Sequence, residues 1–208
     1  MIGILGGTFD PVHFGHLRPA LDCLQALALD QVRLVPLRVA VHRPQPEASA
    51  AQRLAMVERA IAGEPGLAAD PRELDRAGGS YSYDTLASLR AELGEQVPLC
   101  LLVGSDAFAG FLDWHRPRDI LELAHLVVMG RPGASPVLPG ALRRLAERHG
   151  GGREALTAAP AGRIVQQAVT PLEISSTRIR GLIRQGASPR YLLPDPVLAL
   201  IEETGLYR

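Results

Sequence analysis

Residues 6–16 read Gly-Gly-Thr-Phe-Asp-Pro-Val-His-Phe-Gly-His, and the fold follows from how this stretch is bounded. Before it, residues 1–5 (Met-Ile-Gly-Ile-Leu) are an apolar run long enough for a buried strand. After it, Leu17, Ala20, Leu21, Leu24, Leu27 and Ala28 recur at the spacing of one helical face. The pattern predicts strand, loop, helix. Gly6 and Gly7 let backbone amides approach a ligand closely. His16 is carried to a helix N-terminus, where free N–H groups and a partial positive charge favour anions. Pro19 is expected in the first helical turn, where a proline is tolerated. A phosphate-bearing ligand is the economical reading.

Outward from this turn, strands and helices alternate. Strands are expected at Gln31–Pro36, weakly over residues 67–74, and over residues 97–103, 125–129 and 163–168. Helical spacing covers residues 50–62, 84–93, 117–123, 142–149, 175–185 and 196–203, with Ser82 and Asp195 as expected caps and Gly205 as a stop. Residues 37–48 and 132–139 read as loops, and the Ala/Gly/Pro-rich residues 151–162 as the least structured part. The alternation implies a Rossmann-like α/β fold: a doubly wound, mostly parallel sheet with helices on both faces. Residues 1–208 are expected to form a single domain, with about 170–208 a helical subregion. Ligands of such sheets lie beyond the carboxyl ends of the strands. The polar groups follow strands accordingly: Gly6 to His16, then His42-Arg43, Gly104-Ser105-Asp106, and Arg131.

Composition removes several classes. Hydrophobic residues make up 47% and charged residues 21%, a globular balance. The 22 basic residues are all Arg, so a P-loop lysine or a Schiff base is excluded. Formal net charge is zero, against a broad nucleic-acid footprint. No apolar run is long enough for a membrane span, and no secretion signal is visible. Cys23 and Cys100 lie in apolar segments without metal spacing and read as reduced core residues of a cytoplasmic protein. The oligomeric state stays open between a monomer and a weak homo-oligomer.

His13 and His16 could aim two imidazoles at phosphate oxygens, ligate a metal, or cap a helix. Zinc needs a third protein ligand, which no Cys pair or His-Glu-x-x-His pattern supplies. The second anchor is Ile174-Ser175-Ser176-Thr177-Arg178-Ile179-Arg180, hydroxyls and arginines at a helix start. Alone it is an N-cap followed by a solvated face; beside the glycine-histidine loop its hydroxyls, free amides and Arg178 could clasp a polyphosphate. Trp114, the one tryptophan, could stack on a flat ring or fill the core.

The two motifs together resemble the nucleotidyltransferase superfamily that carries a His-x-Gly-His element and a Ser-x-Thr-x-Arg-type motif. Within it, the chain looks like the bacterial nicotinate-nucleotide adenylyltransferases over nearly its whole length. Four further features match: His42-Arg43-Pro44, Ser80-Tyr81-Ser82-Tyr83-Asp84-Thr85, Gly104-Ser105-Asp106 with Trp114, and the ending Gly205-Leu206-Tyr207-Arg208. Two departures occur: His-Arg stands where the family more often has His-Lys, and Ala40-Val41 replaces its proline pair. The resemblance implies transfer of AMP from ATP to nicotinate mononucleotide, with pyrophosphate released. It implies His13, His16 and Arg178 as catalytic residues. ATP would be held by Gly6, Gly7, Thr8, Phe9, His13, His16, Gly104, Asp106, Ile174, Ser175, Ser176, Thr177 and Arg178. Nicotinate mononucleotide would meet His42, Arg43, Ser82, Tyr83, Thr85, Asp106, Trp114, His115 and Arg131. Thr85 also reads as a first-turn helix residue, and Arg43 and Arg131 as surface ion-pair formers. Asp106 could serve ribose or the metal; Mg²⁺ would ride mainly on the ATP phosphates, with no protein cage. Rival readings are a superfamily member using nicotinamide mononucleotide, a flavin or phosphopantetheine, a catalytically silent nucleotide-binding regulator, and a zinc-dependent hydrolase.

Overall fold

The computed structural model describes residues 1–39, 44–131, 133 and 138–208. Its strands are β1 (Ile2–Gly7), β2 (Gln31–Pro36), β3 (Leu67–Ala69), β4 (Leu99–Gly104), β5 (His125–Gly130) and β6 (Ile164–Ala168). They form one sheet in the order β3-β2-β1-β4-β5-β6, and every pairing is parallel. The strand order reverses between β1 and β4, so the crevice of a doubly wound sheet opens beyond Gly7 and Gly104.

Side-chain alternation divides the core in two. Leu5, Val32, Leu34, Cys100, Leu102, Val127 and Val165 point to one face. There they meet α1 (Phe14–Ala26), α2 (Ala50–Ile61), α7 (Ser176–Arg184) and α8 (Asp195–Thr204). Ile4, Val35, Leu99, Leu101, Val103, Leu126 and Val128 point to the other. That face is covered by α3 (Ser82–Leu93), α4 (Ser105–Ala109), α5 (Pro117–Leu123) and α6 (Gly140–His149). Each fully buried leucine or valine contributes roughly 1.5–3 kcal/mol, so coverage on both faces is what makes these continuous apolar strands stable.

The strand and helix expectations hold along most of the chain, with five corrections. α1 begins at Phe14, so Pro19 is an interior residue and not in the first turn; it removes the helical bond to the Gly15 carbonyl. Tyr81 and Pro194 occupy the N-cap positions expected for Ser82 and Asp195, each without a side-chain cap bond. Residues 105–113, given no structure by periodicity, form α4 and a 3₁₀ turn at Phe111–Asp113. Apolar residues in so short a segment cannot establish a period. Residues 151–162 hold a second 3₁₀ turn, Arg153–Leu156, anchored by the fully buried Leu156. β3 stops at Ala69, just before Pro71.

At the amino end of the sheet Arg90 ties loops together. Its guanidinium donates to the carbonyls of Leu123, Gly94, Glu95, Val97 and Pro160 at 2.5–3.3 Å. These carbonyls lie next to α3 or lead into β4, β5 and β6. Arg90→Ala leaves them without that donor and is expected to cost ~3 kcal/mol in urea unfolding. The crevice beyond Gly7 and Gly104 should be unaffected, because this end of the sheet faces away from it.

Candidate active site

His13 is the N-cap of α1 and His16 its third residue. One helical turn therefore stacks the two rings, with centroids 3.8 Å apart and planes 27° from parallel. The His13 N–H donates to His16 Nδ1 at 3.3 Å, which places the proton of a neutral His16 on Nε2. Phe9 packs edge-on against His16 at 5.1 Å. His13 Nδ1 is buried without a partner among the described residues. Buried polar atoms are nearly always paired, and this exception falls in the loop that the motif singles out. Burial pushes His13 down to about 4, and burial with the adjacent His13 pushes His16 down to about 3. Both imidazoles are therefore uncharged at neutral pH.

The glycines of the loop have separate reasons. A Cβ on Gly15 would lie 2.9 Å from His13 Nδ1 and 3.2 Å from the Ile174 carbonyl oxygen, so only glycine lets α1 begin against both. A Cβ on Gly7 would sit 2.8 Å from the Phe9 ring, which folds back from a left-handed backbone at φ +52°. A Cβ on Gly6 meets no described atom within 4 Å; glycine there keeps the strand end open to the crevice.

Residues 8–11 are clamped from three sides. Arg53 of α2, 1% exposed, donates to the Thr8 carbonyl at 2.9 Å and the Ala48 carbonyl at 3.2 Å. Arg180 donates to the Asp10 carbonyl at 2.7 Å, and the Ser176 hydroxyl to the Pro11 carbonyl at 2.9 Å. The buried Asp10 carboxylate accepts from Glu47 N–H, Ala48 N–H and the Tyr207 hydroxyl at 2.9, 3.1 and 2.7 Å. None of Asp10, Arg53, Arg180 or Tyr207 had been assigned a site role from sequence. One signal was available: Arg53 stands in register with Met56, Val57 and Ile61, a charge on the apolar stripe of α2.

The second motif lies directly against this loop. Ser175 caps α7, accepting from Arg178 N–H at 3.2 Å. Ser176 reaches Pro11, and Ile174 abuts Gly15. Thr177 and Arg178 are exposed, and the Arg178 guanidinium has no ionic partner among the described residues. Two helix N-termini, of α1 and α7, thus meet beside the histidine pair. Gly104 and Asp106 stand at the end of β4 and the start of α4, with Asp106 exposed.

The remaining candidates gather elsewhere. His115 lies 4.6 Å from the Tyr81 ring and 6.3 Å from the Tyr83 ring, and the Arg116 guanidinium covers Tyr83 at 3.7 Å. Trp114 packs edge-on to Phe111 at 5.5 Å, half-buried. Ser82 opens α3, whose first-turn amides lack intrahelical acceptors. The Thr85 hydroxyl is buried and donates to Glu73 at 2.5 Å, a helix-anchoring contact. Arg131 pairs with Glu173 at 2.6 Å on the surface. His42 and Arg43 fall outside the described residues. Among the described residues no group of three or more His, Cys, Asp or Glu side chains could hold a metal ion, and no helix is long and apolar enough to cross a membrane.

Known proteins resemble this chain along its whole length. The model of the cytidylyltransferase-like family matches residues 4–182. The chain is 50% identical to the probable nicotinate-nucleotide adenylyltransferase of Marinobacter nauticus over 205 residues, covering 98% of this chain and 95% of that protein. It is 50% identical to its counterpart from Pseudomonas aeruginosa (strain UCBPP-PA14), covering 100% and 97%. Among solved structures, Plasmodium falciparum nicotinic acid mononucleotide adenylyltransferase complexed with NaAD superposes with TM-score 0.71 at 16% identity, over 99% of this chain and 96% of that one. That likeness establishes the fold.

The lowered histidines predict an acid limb in stability. Below the ordinary imidazole value near 6.5, the unfolded chain binds protons that the folded loop refuses. Stability is therefore complete above pH 6.5 and lost as pH falls, towards about 4 for His13 and about 3 for His16, by up to about 1.4 kcal/mol per pH unit for each ring. Urea unfolding against pH should show this slope in the parent chain and a shallower one in the His13→Gln/His16→Gln variant. Equal slopes would contradict the buried neutral pair.

Proposed function

The chain belongs to the cytidylyltransferase-like family, and from that premise we infer that it is a nicotinate-nucleotide adenylyltransferase. It moves AMP from ATP to nicotinate mononucleotide, forming nicotinate adenine dinucleotide and pyrophosphate in NAD biosynthesis. The observation that carries the reading for this chain is the stacked pair of the buried His13 and the half-buried His16 at the junction of the α1 and α7 N-termini. The full-length similarity to proteins of that name supports it.

In the proposed reaction the phosphate of nicotinate mononucleotide attacks the α-phosphorus of ATP, and the bond to the bridging β-phosphate oxygen breaks. The nucleophile is already an anion, so no side chain need remove a proton. Catalysis reduces to alignment and charge stabilisation. Gly6, Gly7, Thr8 and Phe9 line the nucleotide, and the uncharged His13 and His16 present ring N–H donors to phosphate oxygens. Their donation strengthens as negative charge builds on the accepting oxygens of the transferring group. Ser175, Ser176, Thr177 and Arg178 hold the triphosphate end. Gly104 and Asp106 border the crevice from β4. A divalent ion such as Mg²⁺, bound with ATP, would supply charge neutralisation. A single exposed carboxylate, Asp106, suits an ion that keeps most of its ligands from phosphate and water.

The pyridine end is assigned to the aromatic cluster across α3 and the segment after α4. Trp114 offers a face for the ring, and the amides of Ser82, Tyr83 and His115 a place for the carboxylate. Thr85 acts by fixing the first turn of α3 through Glu73. His42, Arg43 and Arg131 are assigned to the mononucleotide's phosphate, Arg131 by exchanging Glu173 for it. The two buried free cysteines, raised by burial to about 12, suit a reducing cytoplasm.

Two measurements test the assignment. Pyrophosphate release with ATP and Mg²⁺ should be fast with nicotinate mononucleotide and weak with nicotinamide mononucleotide; equal use of both would sink the acid-reading pocket. His16→Ala should lower kcat by about 10²–10³ in a folded protein, and near-normal turnover would remove the phosphate-stabilising role.

A further inference from the structure

The penultimate residue lies beneath the first loop of the chain. After α8 the backbone takes left-handed conformations at Gly205 (φ +65°) and Tyr207 (φ +66°). Leu206 N–H bonds back to the Ile201 carbonyl at 3.1 Å. Glycine adopts this conformation freely, whereas tyrosine does so at a cost. The reversal buries the Tyr207 ring and brings its hydroxyl to 2.7 Å from Asp10 Oδ1, across 197 residues of sequence. On the other side of that bond, Phe9 next to Asp10 is also left-handed, at φ +52°. Two strained non-glycine residues therefore flank one buried hydrogen bond. Such strain persists only where surrounding contacts over-determine it, and it concentrates at functional sites.

We propose that Tyr207 is a positioning residue for the ATP-binding loop: through Asp10, its hydroxyl holds residues 8–11 in the conformation that presents His13 and His16 to the triphosphate. The proposal rests on the functional reading above only in taking ATP as the ligand. Burial and the neighbouring carboxylate raise the phenol well above its ordinary range, so it stays protonated and donates. Asp10 shares its oxygens between this hydroxyl and the amides of Glu47 and Ala48. One carboxylate thus joins the β1–α1 loop, the approach to α2 and the chain terminus. Removing the hydroxyl alone keeps the ring's packing and deletes one restraint on the loop. A merely structural role would lower stability but leave the folded protein's affinity for ATP intact.

Calorimetric titration of Tyr207→Phe with ATP, without acceptor, tests this. ATP binding is expected to weaken about tenfold while the acceptor KM stays within about twofold. Leu206→Ala, which trims a neighbouring tail residue packed on the same core, should lower the thermal midpoint with unchanged ATP affinity. Parent-like ATP affinity in Tyr207→Phe, or equal weakening in both variants, would overturn the proposal. The calorimetric arm needs no acceptor, so it reads out even where the parent chain fails to turn over nicotinate mononucleotide, a failure that would count against the functional reading instead.

Discussion

Residues 8–11 cross the mouth of the sheet with carbonyls that no strand or helix satisfies, and the active end of the molecule is arranged around meeting them. A backbone carbonyl buried without a donor costs about as much as a lost hydrogen bond. Arg53 answers Thr8, Arg180 answers Asp10, and Ser176 answers Pro11. These donors come from α2 and α7, helices far apart in sequence that pack on the same face of the sheet. The loop is therefore rigid only in the finished fold, and only then does it begin α1 at the place where His13 and His16 stack.

The electrostatics follow from that rigidity. Two imidazoles 3.8 Å apart in a buried turn cannot both carry charge, and burial alone lowers each. The free site thus stores neutral donors beside two helix N-termini instead of fixed cations. Arg178 adds a charge beside them, its guanidinium unpaired among the described residues, in contrast to Arg180, which is tied to Glu47 and Asp10. Two arginines two positions apart on α7 differ in this way, one exposed and the other tied to the loop, because residues i and i+2 of a helix point in different directions.

Much of this was legible in the chain itself. Apolar runs at β1, β4 and β5 announced strands buried on both faces, and the 3.6-residue spacing of α1, α2 and α3 announced their covering. The glycine-histidine loop and the Ser-Ser-Thr-Arg segment could be recognised as one site before their contact was known. What failed were features settled by a single turn. Pro19 was expected at a helix start because the apolar spacing begins at Leu17, whereas the helix itself starts at Phe14, a boundary that this spacing does not mark. The α4 and 3₁₀ turns escaped because five or three residues are too few to carry a period.

Local sequence determined which segments become strands and helices, and hence the doubly wound class, because hydrophobic period acts between near neighbours. It also determined the chemistry on offer: paired imidazoles, hydroxyls at a helix start, arginine in place of every lysine. Only the tertiary structure decided which polar residues stay exposed beside the loop and which hold it. Asp10 and Tyr207 are 197 residues apart; their pairing exists because the sheet brings the first loop and the last turn onto the same core. Partnership over such distances is set by packing, and packing leaves no periodic trace in the chain.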